Sequence, residues 1–157
     1  MPPNMEAAGT SKKPFEEVHL YDIQGLFGGQ NLYIRNDGSL FVRVIRPSDT
    51  GLSERRFKGV LEAAEIVKLS HLMESVDFEH LSMSDRQGIP DEARPTIILF
   101  KENRIISKAK WANDFHEGFD EIYGFLNRIV RLQEKTAFYF EGRFDHHFHP
   151  QGFRKPE

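Results

Sequence analysis

Asp145, His146, His147 and His149 place one carboxylate and three imidazoles in a single short stretch. Imidazole nitrogen and carboxylate oxygen suit zinc and other divalent transition metals. A loop or one helical turn there would aim Asp145 and His149, or His146 and His149, at one ion. A metal-dependent, hydrolase-like enzyme built on this group is therefore one expectation. Pro150 follows at once, and no carboxylate partner for the imidazoles can be named, although ligating His residues usually have one. A solvated cluster with no cofactor is the simpler reading.

Other chemistry-bearing groups are sparse. The stretch Gly88-Ile89-Pro90-Asp91-Glu92-Ala93-Arg94-Pro95 joins adjacent acids to a guanidinium. Carboxylates work as acid–base pairs when their surroundings split their pKa values. On a loop, adjacent acids more often cap turns or stay solvated. Gly25-Leu26-Phe27-Gly28-Gly29 could cradle an anion on its backbone. It joins two strands, however, and lacks the helix N-terminus that completes a phosphate site. A tight turn is expected. Walker, zincin, nucleophile-elbow and calcium-loop patterns are absent, so the residues favour a non-enzymatic role. His19, His71, His80 and His116 are scattered and read as strand, helix-face or cap residues.

Positioning these groups falls to strands first. Val18 and Leu20 alternate with His19 and Tyr21, which predicts a strand over residues 15–23. Asn36-Asp37-Gly38 between two alternating runs predicts a hairpin. A two-residue loop would set Leu32 opposite Arg43. A three-residue loop with Gly38 left-handed sets Ile34 opposite Leu40, Leu32 opposite Val42, and Tyr33 opposite Phe41. Matching faces favour the longer loop, because a one-residue slip inverts every side chain. Residues 54–58 suggest a further edge strand. Ile66, Leu69, Met73 and Val76 share one helical face and predict a helix over residues 62–75. Residues 82–95 read as a long loop. A second hairpin should turn at Glu102-Asn103, with Phe100 opposite Ile105 and Ile98 near Ser107. The last helix is expected from a cap at Asn113 or Asp114 to about residue 133, with Phe115, Phe119, Ile122, Leu126 and Ile129 along its apolar stripe.

The expected fold is thus α+β: an antiparallel β-sheet with two helices packed on one face, in the order β-β-β-(β)-α-β-β-α. Residues 1–14 form a disordered lead, residues 15–136 one domain, and residues 137–157 an aromatic and His-rich tail. With 21 basic and 24 acidic residues the formal charge is −3, which offers no general attraction to nucleic acid or anionic membrane. There is no Cys, so disulfides and thiolate chemistry are excluded. Neither a secretory h-region nor an 18-residue apolar span occurs, and a soluble, cytoplasmic protein is expected.

The chain contains 14 Phe residues. Helices on one face of the sheet leave Tyr33, Phe41 and Ile45, with Arg35 and Arg43, on the other. Aromatic residues beside Arg on an open sheet are a feature of RNA-stacking platforms, but the acidic balance argues against nucleic acid. Large apolar patches are rarely left bare. Two covers are available: the tail, through Phe138, Tyr139, Phe140, Phe144, Phe148 and Phe153, or a second copy of the same face in a homodimer.

The succession Gly25-Leu26-Phe27-Gly28-Gly29, Asn36-Asp37-Gly38, the helical stretch 61–72, Phe78-x-x-Leu81, Pro90-Asp91-Glu92 and the closing helix resembles small bacterial domains of unknown function over residues 18–133. The resemblance implies a β-rich start, a helix, a hairpin and a last helix, and it carries over no functional residue. Together these readings lead to a binding or assembly module that acts through the outer sheet face and the aromatic tail. Its binding residues would be Tyr33, Phe41, Arg35 and Arg43, and its partner a protein or a second copy.

Overall fold

A computed structural model describes residues 15–156; the expectation for residues 1–14 lies outside them. Strand β1 (Glu17–Gln24) turns through residues 25–27 into β2 (Gly28–Arg35). The following hairpin to β3 (Ser39–Ser48) has the register that face matching predicts, with Ile34 opposite Leu40, Leu32 opposite Val42 and Tyr33 opposite Phe41. Gly38 takes φ +95°, a left-handed conformation that costs a glycine little. A Cβ there would sit 2.6 Å from the Leu61 carbonyl oxygen.

β4 (Gly51–Val60) is a full ten-residue strand paired along β3. It is not the edge expected for residues 54–58. A seventh strand, β7 (Phe140–Arg143), leaves the tail and pairs with residues 53–56 of β4. Only four residues long and with exposed charges at Glu141 and Arg143, β7 carries too little alternation to stand out in the sequence. Helix α1 (Ala63–Ser75) and a 3₁₀ turn (Phe78–His80) lead to residues 81–95. The second hairpin follows: β5 (Thr96–Lys101) and β6 (Arg104–Ala109) set Phe100 opposite Ile105 and Ile98 opposite Ser107. Glu102 and Asn103 both have positive φ, 51° and 64°, as a two-residue hairpin of this twist requires. β5 returns to pair with β1, so the antiparallel order is β6-β5-β1-β2-β3-β4-β7.

Helix α2 (Glu117–Glu134) starts later than the sequence suggests. Asp114 turns its carboxylate to Arg86, with Nε donating to Oδ1 at 2.8 Å, and is not the cap. His116 takes that place, and its Nδ1 accepts from the Phe119 N–H. Asp120 reaches back to the His116 N–H, so donors at the helix start are satisfied reciprocally. Phe115, expected in the apolar stripe, consequently precedes the helix and is 83% exposed.

Both helices lie on one face of the sheet. Ile66, Leu69 and Met73 of α1, with Phe119, Ile122, Leu126 and Ile129 of α2, share a core with Val18, Leu20, Leu32, Ile34, Val42 and Leu99. Period-two alternation sends the remaining strand residues to the other face. Among the described residues no helix is long and apolar enough to cross a membrane.

Candidate functional site

The face away from the helices carries three aligned rows. Ile98, His19, Tyr33, Phe41 and Lys58 form one, and Tyr21, Asn31, Arg43 and Arg56 form the next. Beyond them Ile45 stands opposite Glu54. Most of these side chains are buried, because the segment after β7 folds back across the whole face. Phe148 packs on Phe41 at 5.7 Å between ring centroids, and Phe153 packs on Tyr33 at 5.6 Å.

Two buried carboxylates pin this segment. Glu54 receives Arg43 Nη1 at 3.3 Å, Arg56 through Nε and Nη2, and the main-chain N–H of Asp145 at 2.7 Å. A carboxylate taken out of water needs such a full set of donors. On the far side, Glu17 receives His19 Nε2 at 2.7 Å and the main-chain N–H of Arg154 at 3.0 Å. Arg154 also donates to Glu16 and lies over the Phe100 ring.

His19 is fully buried. Glu17 can only accept, so the Nε2 of His19 carries the proton and Nδ1 is left to accept from the Tyr21 hydroxyl at 3.1 Å. Burial pushes the His19 imidazole below its usual range, against the opposing pull of Glu17, and this neutral tautomer is the form the core holds. Burial also drives the Tyr21 phenol well above its normal value, with the neighbouring Tyr33 adding to the shift. The Tyr33 phenol rises for the same reason, partly offset by Tyr21 and Arg43. Both phenols therefore stay protonated in neutral solution. The chain Glu17–His19–Tyr21 orients a hydroxyl and does not generate a phenolate.

A cleft of about 430 Å³, open to solvent on one side, lies between these rows and the overlying segment; its volume is within the roughly 300–1,000 Å³ of small-molecule sites. Tyr21, Asn31, Tyr33 and Arg43 form its floor, and Phe144, His146, Phe148 and His149 its roof. Asn31 is 3% exposed, and its Oδ1 has no hydrogen-bond partner among the described residues. Arg43 makes its hydrogen bonds there through Nη1 alone, to Glu54 and to the Asp145 carbonyl. The Phe144 and Phe148 rings cover its guanidinium at 4.8 and 5.6 Å. A second cavity, of about 500 Å³, lies on the other side of Phe148 between Phe41, Tyr139, Pro150 and Phe153.

The residues expected to bind a partner are thus brought together, but beneath the protein's own chain. Tyr33, Phe41 and Arg43 are buried, and Arg35, at the margin, donates to the Gly152 carbonyl at 3.0 Å. Of the two covers the sequence allows, the tail is the one seated on this face. The Asp145–His149 group disperses. Asp145 Oδ1 accepts from the His147 N–H, His146 packs on Phe144, and His149 Nε2 donates to the Phe153 carbonyl at 2.7 Å. Since a carbonyl only accepts, that His149 nitrogen carries the proton. Among the described residues no three His, Asp or Glu side chains converge as a metal site.

Residues 88–95 are organised by an ion pair. Glu92 accepts from Arg86 Nη2 at 2.6 Å and from the N–H groups of Ile89 and Asn113. The Arg86 guanidinium holds its carboxyl down to about 2. Arg94 lies over Trp111 at 4.7 Å. Asn31 and His19 are the site residues that sequence reasoning passes over. The spacing Glu17, His19, Tyr21 on one strand face is visible in the sequence, but the unmatched Asn31 oxygen becomes apparent only when the roof is in place.

Comparison with protein-family models, with curated proteins and with solved structures finds no match.

Proposed function

We propose that this chain is a binding module whose ligand is a small molecule held between the outer sheet face and the C-terminal segment. The observation that carries the reading is a cleft of about 430 Å³ walled by aromatic side chains, with the buried Arg43 guanidinium in its lining. A guanidinium removed from water favours an anionic or acceptor group beside it.

The neighbouring groups fit the same role. Aromatic side chains dominate the walls, with a few convergent polar groups among them, as in small-molecule sites generally. Arg43 is tied to Glu54, His19 to Glu17 and His149 to the Phe153 carbonyl, an arrangement that suits holding and orienting a ligand. The sheet supplies a rigid floor, and the segment above it is tethered at Glu54 and Glu17.

The test is a ligand-observed NMR screen of single- and double-ring acids, amides and amines against the full chain. Hits should shift the side-chain resonances of Asn31 and Arg43 and be lost in Asn31→Leu. A screen in which no compound perturbs those resonances would sink the reading.

A further inference from the structure

We infer that the free margin of the sheet, strand β6, is a self-association surface on which a second copy of this chain pairs its own β6 in antiparallel fashion. The inference is independent of the small-molecule reading, which concerns the broad face and not the margin.

The two margins of the sheet differ. On one side β7 covers the middle of β4, whereas among the described residues β6 pairs with β5 alone. The two-residue turn at Glu102-Asn103 makes Lys101 and Arg104 the first hydrogen-bonded pair. Lys110 continues the same alternation, its N–H donating to the Pro95 carbonyl at 3.1 Å. Arg104, Ile106 and Lys108 therefore turn their main-chain groups toward β5. Ile105, Ser107 and Ala109 turn theirs outward, where the N–H and C=O of all three meet no partner among the described residues.

Devices that protect an edge are missing from this row. Pairing with β5 runs without a bulge from Arg104 to Ala109, and the strand contains no Pro. Its charged side chains lie on the helix side, with Ile106, and are occupied there. Arg104 meets Glu79, and Lys108 Nζ donates to the Leu81 carbonyl at 2.8 Å. The other side carries only Ile105, Ser107 and Ala109, of which Ile105 and Ser107 are exposed.

The row is complementary to itself. A two-fold axis through Ser107, normal to the sheet, sets Ile105 opposite Ala109 of the second copy and Ser107 opposite its own counterpart. Every outward group in the row then finds a partner. The one large side chain meets the smallest, and the two hydroxyls come within reach of each other. On the helix side Lys108 falls opposite Ile106, and Arg104 opposite Lys110, whose charge Asp120 already balances. Sliding the register by two residues leaves part of the row unpaired. A foreign strand gains the same main-chain bonds but meets no pocket that selects its side chains, since neither cavity of the outer face is lined by β6. A second copy brings the matching row with it. The pairing joins both sheets into one, with the helices of both copies on one side and both clefts on the other.

Sedimentation velocity on the full chain over a concentration series tests this. The expected result is a reversible monomer–dimer equilibrium, and a chain that stays monomeric up to about 1 mM overturns the inference. Ser107→Lys sets two ammonium groups face to face at the axis and should weaken the dimer at least about tenfold. The chain has no Cys, so Ser107→Cys carries a single thiol, and the axis brings the two Cα atoms to about 5.5 Å, within disulfide reach. Under mild oxidation this variant should cross-link at least about tenfold faster than Val60→Cys, whose position is exposed but lies on β4. Equal cross-linking rates, or a dimer that Ser107→Lys leaves intact, would place the contact elsewhere and overturn the inference. Capture of an unrelated extended peptide by a chain that does not pair with itself would do the same.

Discussion

The main-chain N–H of Asp145 donates to the Glu54 carboxylate at 2.7 Å, joining two residues 91 positions apart. Glu54 also receives both Arg43 and Arg56, so one carboxylate holds the cavity floor and its roof together. Glu54→Ala would leave the Arg43 guanidinium buried without its partner, a change that costs about 3–5 kcal/mol. Urea unfolding should show that loss, and hydrogen exchange should show earlier loss of protection in residues 144–156 than in the strands. Unchanged protection in that segment would show that other contacts hold it.

Ending the chain after Arg143 removes the roof but keeps β7. His19, Tyr33 and Phe41 then face water. Losing the cover of Phe148 and Phe153, both partly buried, should cost roughly 2–4 kcal/mol and give strong binding of a hydrophobic dye. A shortened chain as stable as the full one, with no dye binding, would show that the outer face does not depend on its cover.

Acid should weaken the protein through Glu92. Its carboxyl is held down to about 2 in the folded chain, against 4.5 for an unperturbed Glu, chiefly by Arg86. Between these values the unfolded chain binds more protons than the folded one, so stability falls as pH drops. The contribution is whole above about 4.5 and fades toward 2. Urea midpoints measured across that window should slope less in Glu92→Gln than in the parent. Parallel slopes would mean that other carboxylates govern acid unfolding.

Gly88 has no room for a side chain. A Cβ there would lie 2.4 Å from the Trp111 ring, whose Nε1 donates to the Arg86 carbonyl at 3.0 Å. Gly88→Ala must push the indole aside and should cost about 1–3 kcal/mol. Trp111 is the single Trp, so its emission reports the displacement directly, as a red shift on exposure. An unshifted spectrum with unchanged stability would show that residues 81–95 give way freely.

The elements that alternation or helical periodicity governs were legible in the sequence. The pairing of Tyr33 with Phe41 and of Phe100 with Ile105 follows from matching faces, because each hairpin is local and its turn sets the register. The stripe Phe119, Ile122, Leu126 and Ile129 is equally local. What was not legible depends on distant partners. β7 exists because β4 offers an edge, and the helix start moved from Asp114 to His116 because Arg86, 28 positions away, claims the Asp114 carboxylate. The site shows the same division. Its aromatic and Arg residues could be named from the outer face of the hairpin, whereas the matched and unmatched polar atoms of Glu17, Asn31 and Glu54 depend on where residues 144–154 come to lie.

The four-residue β7 gives the sheet its outer margin. Together with the bonds from Tyr139 to Arg56 and from Phe144 to Leu52, it occupies the middle of a ten-residue strand that would otherwise present a row of unsatisfied amides. Such a row invites a strand from a neighbouring molecule, and short, charged margins discourage it. β7 carries Glu141 and Arg143, so at high concentration peeling it away should set copies of the chain zipping together side by side.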